Sequence, residues 1–406
     1  MPDAASGDER TAAPGPAWLI AFVGLAALAN AMGIGRFAFT PILPLMQGDV
    51  GLSVADAGWL ASANYVGYLA GALSAIRIRL RPVVVIRASL LVIGASTLAM
   101  GVDHRFFDWL VLRAIAGIAS AWVLVFVSAW ALERLALLER ASLSGTVYAG
   151  VGAGIALAGI ACLIVTGVHA GSTAAWLTLG VVSILLTGLI WPLVRAGPSS
   201  APSGPQEPRA ASRKWNAEQW RLVFCYGGFG FGYIIPATFL PLMAKRIIPD
   251  PQLFGWAWPV FGAAAIVSTL VAARRSQSLS LRAIWIAAHF VMALGLVVPL
   301  VVQGLPGILI AALLVGSTFM VITMVGLQEG RRLGGPDPRV LMAGMTSGFA
   351  LGQILGPMAA SLLVQPAGSL GAALLLAAAI LVITAILLMK PGVAIEPAPK
   401  RSARDG

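Results

Sequence analysis

A chain of 406 residues that is 59% hydrophobic and only 11% charged, with a mean hydropathy of +0.89, has too little charge to cover a water-soluble globule of its size. Its net charge of +11 does not point to nucleic acid, because Lys and Arg fall in short connections and not in a patch or stripe. What remains is an integral membrane protein.

Residues 1–16 hold Asp3, Asp8 and Glu9 and lack a basic leader region, and the apolar run after them is too long for a signal peptide. The first helix is therefore expected to stay, behind a short cytoplasmic tail. Runs long enough to span a bilayer, on the criterion of about 20 apolar residues, fall at residues 17–40, 55–76, 83–102, 109–132, 143–167 and 173–194. Six more fall at 220–243, 253–273, 283–303, 305–327, 340–364 and 370–390. The expected fold is an all-α membrane protein of twelve transmembrane helices in two six-helix bundles, 17–195 and 220–392. Residues 196–219 begin as a Pro/Ser/Gly/Ala-rich stretch that cannot bury anything and read as a cytoplasmic linker, and 393–406 read as a polar cytoplasmic tail.

The two sets of runs are copies of one unit. A single gap-free shift of 197 carries Gly33 onto Gly230, Gly35 onto Gly232, Arg36 onto Tyr233 and the Pro44-Leu45-Met46 triplet onto Pro241-Leu242-Met243. The same shift carries Gly58-Trp59 onto Gly255-Trp256 and Arg77 onto Arg274. Internal symmetry of this kind marks a transporter built from two halves.

Orientation follows from the basic residues, since cytoplasmic loops hold the excess. Of the 27 Lys and Arg, 22 fall in the tails, the linker and the connections on one side, against Arg105, Lys245 and Arg246 on the other. Both termini and the linker are thus expected in the cytoplasm.

Along the chain, the polar residues inside these runs are the candidate binding groups. Arg36 comes first, near the far end of an apolar helix, where a charge costs about 2.5–3.5 kcal/mol on insertion scales and marks a functional site by default. It has no acid in its own run; Asp49 and Asp56 are the nearest across the outer end, and a structural pair with one of them is the plain alternative to an anion site. Asn64 and Tyr68 follow one turn apart on the second helix. Arg113, five residues after Asp108, is either a structural arginine bonded to helix-end carbonyls or a substrate and gating group. Tyr148 lies in the fifth helix, Tyr226 and Tyr233 seven apart in the seventh, and Gln353 in the eleventh, seven residues after Thr346. Glycines at 145, 150, 152, 154 and 159, and at 344, 348, 352 and 356, have the small-residue spacing of close helix packing.

Proton coupling needs an ionisable group near the path. The candidates are His289, the only imidazole within a run, and the helix-end acids Glu133 and Asp56; a packing role is the alternative for His289. Cys162 and Cys225 sit in apolar runs without partners at ligand spacing, so neither a disulfide nor a metal is expected, and no cofactor is. No phosphate-binding loop, zinc motif, nucleophile elbow or paired intramembrane carboxylates occur, so the chain does not read as an enzyme.

Two six-helix halves, a basic connection from Arg77 to Arg81 after the second helix, Arg113 with Gly117 in the fourth helix and the glycine ladder of the fifth resemble the major facilitator superfamily. The stretch from Gly33 to Phe37, with Ala57 to Gly71, resembles its YbfB/YjiJ-like branch. The general resemblance spans residues 17–390; the branch motifs cover the first two helices. After the second helix the chain departs from the pattern, since the position expected to be acidic falls at or beside Ala75 and none of these residues is acidic. The resemblance implies a monomeric secondary transporter of a bacterial inner membrane that works on a small molecule by alternating access, with protons as a possible coupling ion and no nucleic-acid partner. Similar members that carry organophosphates have a basic residue from both the first and seventh helices in the site. Here the second is Tyr233, so a small anionic or electronegative solute, best a monoanion, is expected. Efflux of apolar drugs, with Phe254, Trp256 and Trp258 as the sorting surface, is the alternative within the class. A non-transporting receptor or scaffold is the alternative outside it.

Overall fold

A computed structural model describes residues 16–194, 215–247, 255–367 and 371–390. Most of both expected tails, most of the linker and Phe254 lie outside the described residues. Twelve helices follow in chain order: α1 (Pro16–Asp49), α2 (Val54–Ala75), α3 (Pro82–Val102), α4 (Phe106–Leu137), α5 (Ser144–Gly167), α6 (Ser172–Ile190), α7 (Ala217–Ile247), α8 (Ala257–Arg275), α9 (Leu281–Val301), α10 (Gly304–Leu333), α11 (Pro338–Ala367) and α12 (Gly371–Met389). Nine of them, among the described residues, are long and apolar enough to cross a membrane. Helices are what the apolar runs must form, because hydrocarbon offers no partner to an unpaired backbone group.

The helix ends have their own chemistry. Ser53 caps α2 by accepting from the Asp56 amide, and Ser280 caps α9 by accepting from the Ala283 amide. Asp49, at the end of α1, accepts from the backbone N–H and the hydroxyl of Ser172 and so caps α6.

The repeat is visible in the helix starts. Pro82 and Leu281, Phe106 and Gly304, and Ser172 and Gly371 begin corresponding helices 199, 198 and 199 residues apart. It is visible in packing too. A methyl at Gly33 would stand 2.3 Å from the Gly154 backbone of α5, and one at its repeat mate Gly230 would stand 2.2 Å from the Phe349 carbonyl of α11. Each half thus presses its first helix on its fifth through a bare glycine.

The two halves meet along α5 with α8 and along α2 with α11. On the first seam Gly152 and Gly262 lie back to back, a methyl on either reaching within 2.6 Å of the other's carbonyl oxygen. At the end that bears most of the basic residues, Gln328 of α10 donates to the Ser144 hydroxyl of α5 at 2.7 Å, across the halves. At that same end of the second half, Glu218 of α7 and Glu329 of α10 are buried and share the Arg282 guanidinium of α9, with Arg221 on Glu218 and Arg332 at 3.7 Å from Glu329.

Candidate functional site

The site grows out of an irregularity in α1. From Ala29 to Phe37 the helix widens to π geometry, a form concentrated at functional sites because it leaves carbonyls without their usual helical partners. Residues of α4 take up those carbonyls. Ser120 donates to Ala31 O at 2.7 Å, and the Arg113 guanidinium donates to Gly35 O at 3.3 Å and Arg36 O at 3.2 Å. Arg113 also covers the Phe39 ring at 4.9 Å. These are contacts of the kind its expected structural role calls for. Asn64, expected as a binding residue, donates to the Arg113 carbonyl at 3.0 Å and joins α2 to α4.

Arg36 is the last residue but one of the π stretch and is 3% exposed. It meets neither expected acid: Asp49 caps α6, and Asp56 accepts from the Ser53 hydroxyl at 2.7 Å. Its Nη2 donates instead to Oε1 of Gln353 on α11, in the opposite half. The guanidinium carbon lies 3.8 Å from the centroid of the Tyr68 ring, with Phe37, Tyr65 and Phe349 between 5.6 and 5.8 Å. This is a cation held against aromatic faces from both halves. Its Nε and Nη1 have no hydrogen-bond partner among the described residues, and neither does Nε2 of Gln353.

From this cage the rings continue into the second half. Phe349 lies against Tyr233 at 6.4 Å, and Tyr233 stacks on Phe319 at 5.1 Å and 14°. Phe37 meets the same Phe319 edge-on at 6.2 Å. The repeat-related pair Arg36 and Tyr233 thus shares one intervening ring, Phe349, while Phe319 links Tyr233 to Phe37. Tyr226 joins the cluster at 5.6 Å from Phe349, and Phe319 continues through Phe261 to Trp258 near the start of α8.

The remaining expected residues make no hydrogen bond or ring contact with Arg36 among the described residues. Tyr148 is fully buried on α5. His289 is buried on α9 beside the rings of Phe229 and Trp285, with Nδ1 3.1 Å from the Trp285 carbonyl. Glu133 is exposed near the C-terminal end of α4, and Asp56 is half-buried in the first turn of α2. These two lie at opposite ends of the first bundle, and His289 lies in the second, so the three are not gathered in one place. Sequence reasoning missed Tyr65, Phe349 and Phe319. Tyr65 is four residues from the first half's Ala61 and three from Tyr68, a helical spacing that could have flagged it; the two phenylalanines carried no polar signal.

A family model described as "Uncharacterised MFS-type transporter YbfB" matches residues 28–389. No curated protein matches the chain.

Proposed function

The chain belongs to the YbfB branch of the major facilitator superfamily, and from that premise we propose that it carries a small anionic or electronegative solute by alternating access. The observation that carries this reading is Arg36: a buried guanidinium with two nitrogens unpartnered and no carboxylate bonded to it among the described residues. A fixed charge in low dielectric strongly favours a counter-ion, and a solute can bring one. With Tyr233 as the second, neutral donor, a monoanion such as a carboxylate suits the site better than a doubly charged phosphate. Tyr68, Gln353 and Tyr226 complete the proposed wall, and Asn64, Arg113 and Tyr148 support it.

Alternating access would come from rocking one half on the other along the α5–α8 and α2–α11 seams. The 22 against 3 distribution of basic residues favours cytoplasmic termini in an inner membrane. His289, Glu133 and Asp56 are the groups offered for proton coupling. A second reading, efflux of apolar compounds, draws on the stacked rings from Trp258 through Phe261 and Phe319 to Tyr233.

The test is a stability screen on the purified protein, followed by flux in proteoliposomes. A bound ligand raises stability by RT ln(1 + [L]/Kd), about 2.7 kcal/mol at a hundredfold excess over Kd. Organic monoanions should stabilise and compete with one another. Stabilisation by lipophilic cations or neutral aromatics alone favours the efflux reading, and binding without flux favours a receptor.

A further inference from the structure

Away from the central cage, a cavity of about 980 Å³ opens where α1, the α4–α5 connection, α5 and α8 come together. Its wall includes Leu25, Ile266 and Leu270, half-buried, and its rim includes Trp18, Arg140 and Arg274, all exposed. No Asp or Glu lines it, and neither arginine is in an ion pair among the described residues. The eight helical steps from Ile266 to Arg274 give the groove a length of about 12 Å along α8. It therefore runs from a cationic mouth, flanked by an amphipathic indole, down an apolar wall that spans the two halves.

That polarity suits one occupant. A soluble anion would use the mouth and leave the wall in contact with water, and an uncharged acyl chain would use the wall and leave two cations idle. Basic pockets between transmembrane helices at the cytoplasmic side take anionic lipid head groups, and an exposed Trp at this level is an interfacial anchor. We propose that this groove binds an anionic phospholipid of the phosphatidylglycerol type, its phosphate between Arg140 and Arg274 and the start of one acyl chain along Leu25, Ile266 and Leu270. Because α5 and α8 belong to different halves, the lipid sits across the seam on which the halves would rock. The site is independent of the solute carried.

The experiment is native mass spectrometry of the full chain with equal amounts of phosphatidylglycerol and phosphatidylethanolamine. Wild type should retain phosphatidylglycerol with roughly thirtyfold preference, two basic side chains near the membrane surface contributing about 1 kcal/mol each and 1.4 kcal/mol being tenfold. Arg140→Gln with Arg274→Gln should reduce that preference to background. Leu270→Trp, which keeps both charges and fills the wall, should reduce it too, whereas a general attraction to positive charge would be unaffected by it. Arg79→Gln with Arg81→Gln, basic residues of the same side outside the groove, should change nothing. Undiminished preference in either groove variant, or an equal loss in the Arg79/Arg81 control, overturns the proposal.

Discussion

Arg36 and Gln353, 317 residues apart, are joined by a hydrogen bond from the guanidinium Nη2 to the amide Oε1, linking the first helix of one half to the fifth helix of the other. The bond is neutral on one side only. It gives the guanidinium a dipole to rest on but leaves its charge uncompensated, and that separates an anion site from a structural ion pair.

Changing the amide to an acid therefore tests the site with almost no change of shape. Gln353→Glu supplies an internal counter-ion, so the protein should melt at the same temperature or higher while affinity for the anionic ligand falls at least about tenfold, or 1.4 kcal/mol. Gln353→Leu should do the reverse to stability, stranding Nη2 at a cost of about 1–3 kcal/mol. Thermal unfolding and ligand titration on the two variants check both; unchanged affinity in Gln353→Glu would mean the ligand does not meet Arg36.

The arginine and its repeat mate should differ in weight. Arg36→Lys loses the planar group that lies 3.8 Å above the Tyr68 ring and can grip two oxygens, so binding should weaken markedly even though the charge is kept. Tyr233→Phe removes one neutral donor and retains the stack on Phe319, and should cost about 0.5–1.5 kcal/mol, or up to about 3 if its partner is charged. Kd values of both variants, with Arg36→Ala as reference, are the measurement. If Arg36→Lys and Arg36→Ala bind as wild type does, the arginine is structural.

Much of the fold was legible because a membrane helix announces itself by its apolar length, and the repeat fixed the count. The helix ends were less so. The eye for hydrocarbon stopped α4 at 132 and α10 at 327, whereas the helices run to Leu137 and Leu333, on into residues such as Arg134, Arg331 and Arg332 that lie beyond the apolar run. The cluster around Arg36 was legible wherever a polar residue interrupted an apolar run, hence Arg36, Tyr68 and Gln353. It was not legible where geometry depends on tertiary partners. The π stretch of α1 has no local signal, since its carbonyls are taken up by Arg113 and Ser120 from α4. The buried pair Glu218 and Glu329 lies toward helix ends, where an acid ordinarily meets water and its sequence position does not signal burial.

Arg113 should behave as a support. Arg113→Ala leaves the Gly35 and Arg36 carbonyls without their side-chain donor and should destabilise the protein by about 1–3 kcal/mol, whereas Arg113→Lys, with one donor group, should recover part of it. Ligand affinity should fall less than in Arg36→Ala. Denaturation and binding measured side by side decide it: a stable Arg113→Ala protein that has lost its ligand would make Arg113 a direct contact.

Two glycines of neighbouring helices should respond in opposite ways to one methyl. At Gly33 the added carbon meets Gly154 backbone at 2.3 Å, which cannot move aside without parting α1 from α5, so Gly33→Ala should cost about 1–3 kcal/mol or more. At Gly58 on α2 nothing lies within 4 Å, and Gly58→Ala should be neutral or stabilise by about 0.5–1 kcal/mol through helix propensity. Melting temperatures of the pair are the check, and equal effects would place the α1–α5 contact in error.

Energy coupling would distinguish three groups that the fold keeps apart. His289 lies against Phe229 and Trp285, its Nδ1 engaged by the Trp285 carbonyl and its Nε2 without a partner among the described residues. A neutral tautomer with the proton on Nδ1 satisfies that arrangement, and Nε2 is then the atom able to accept a proton. Asp56 is tied to the Ser53 cap, and Glu133 is exposed near the C-terminal end of α4. If transport is driven by protons, His289→Ala should abolish uphill uptake under an imposed pH gradient while leaving downhill exchange of solute intact, because binding through Arg36 does not need the imidazole. Asp56→Asn should weaken coupling less than His289→Ala, since its proton-accepting oxygen already has a hydroxyl donor, and Glu133→Gln provides the third arm. Proteoliposome flux with and without the gradient reads all three. Should the combined variant still accumulate solute against its gradient, none of these groups carries the proton.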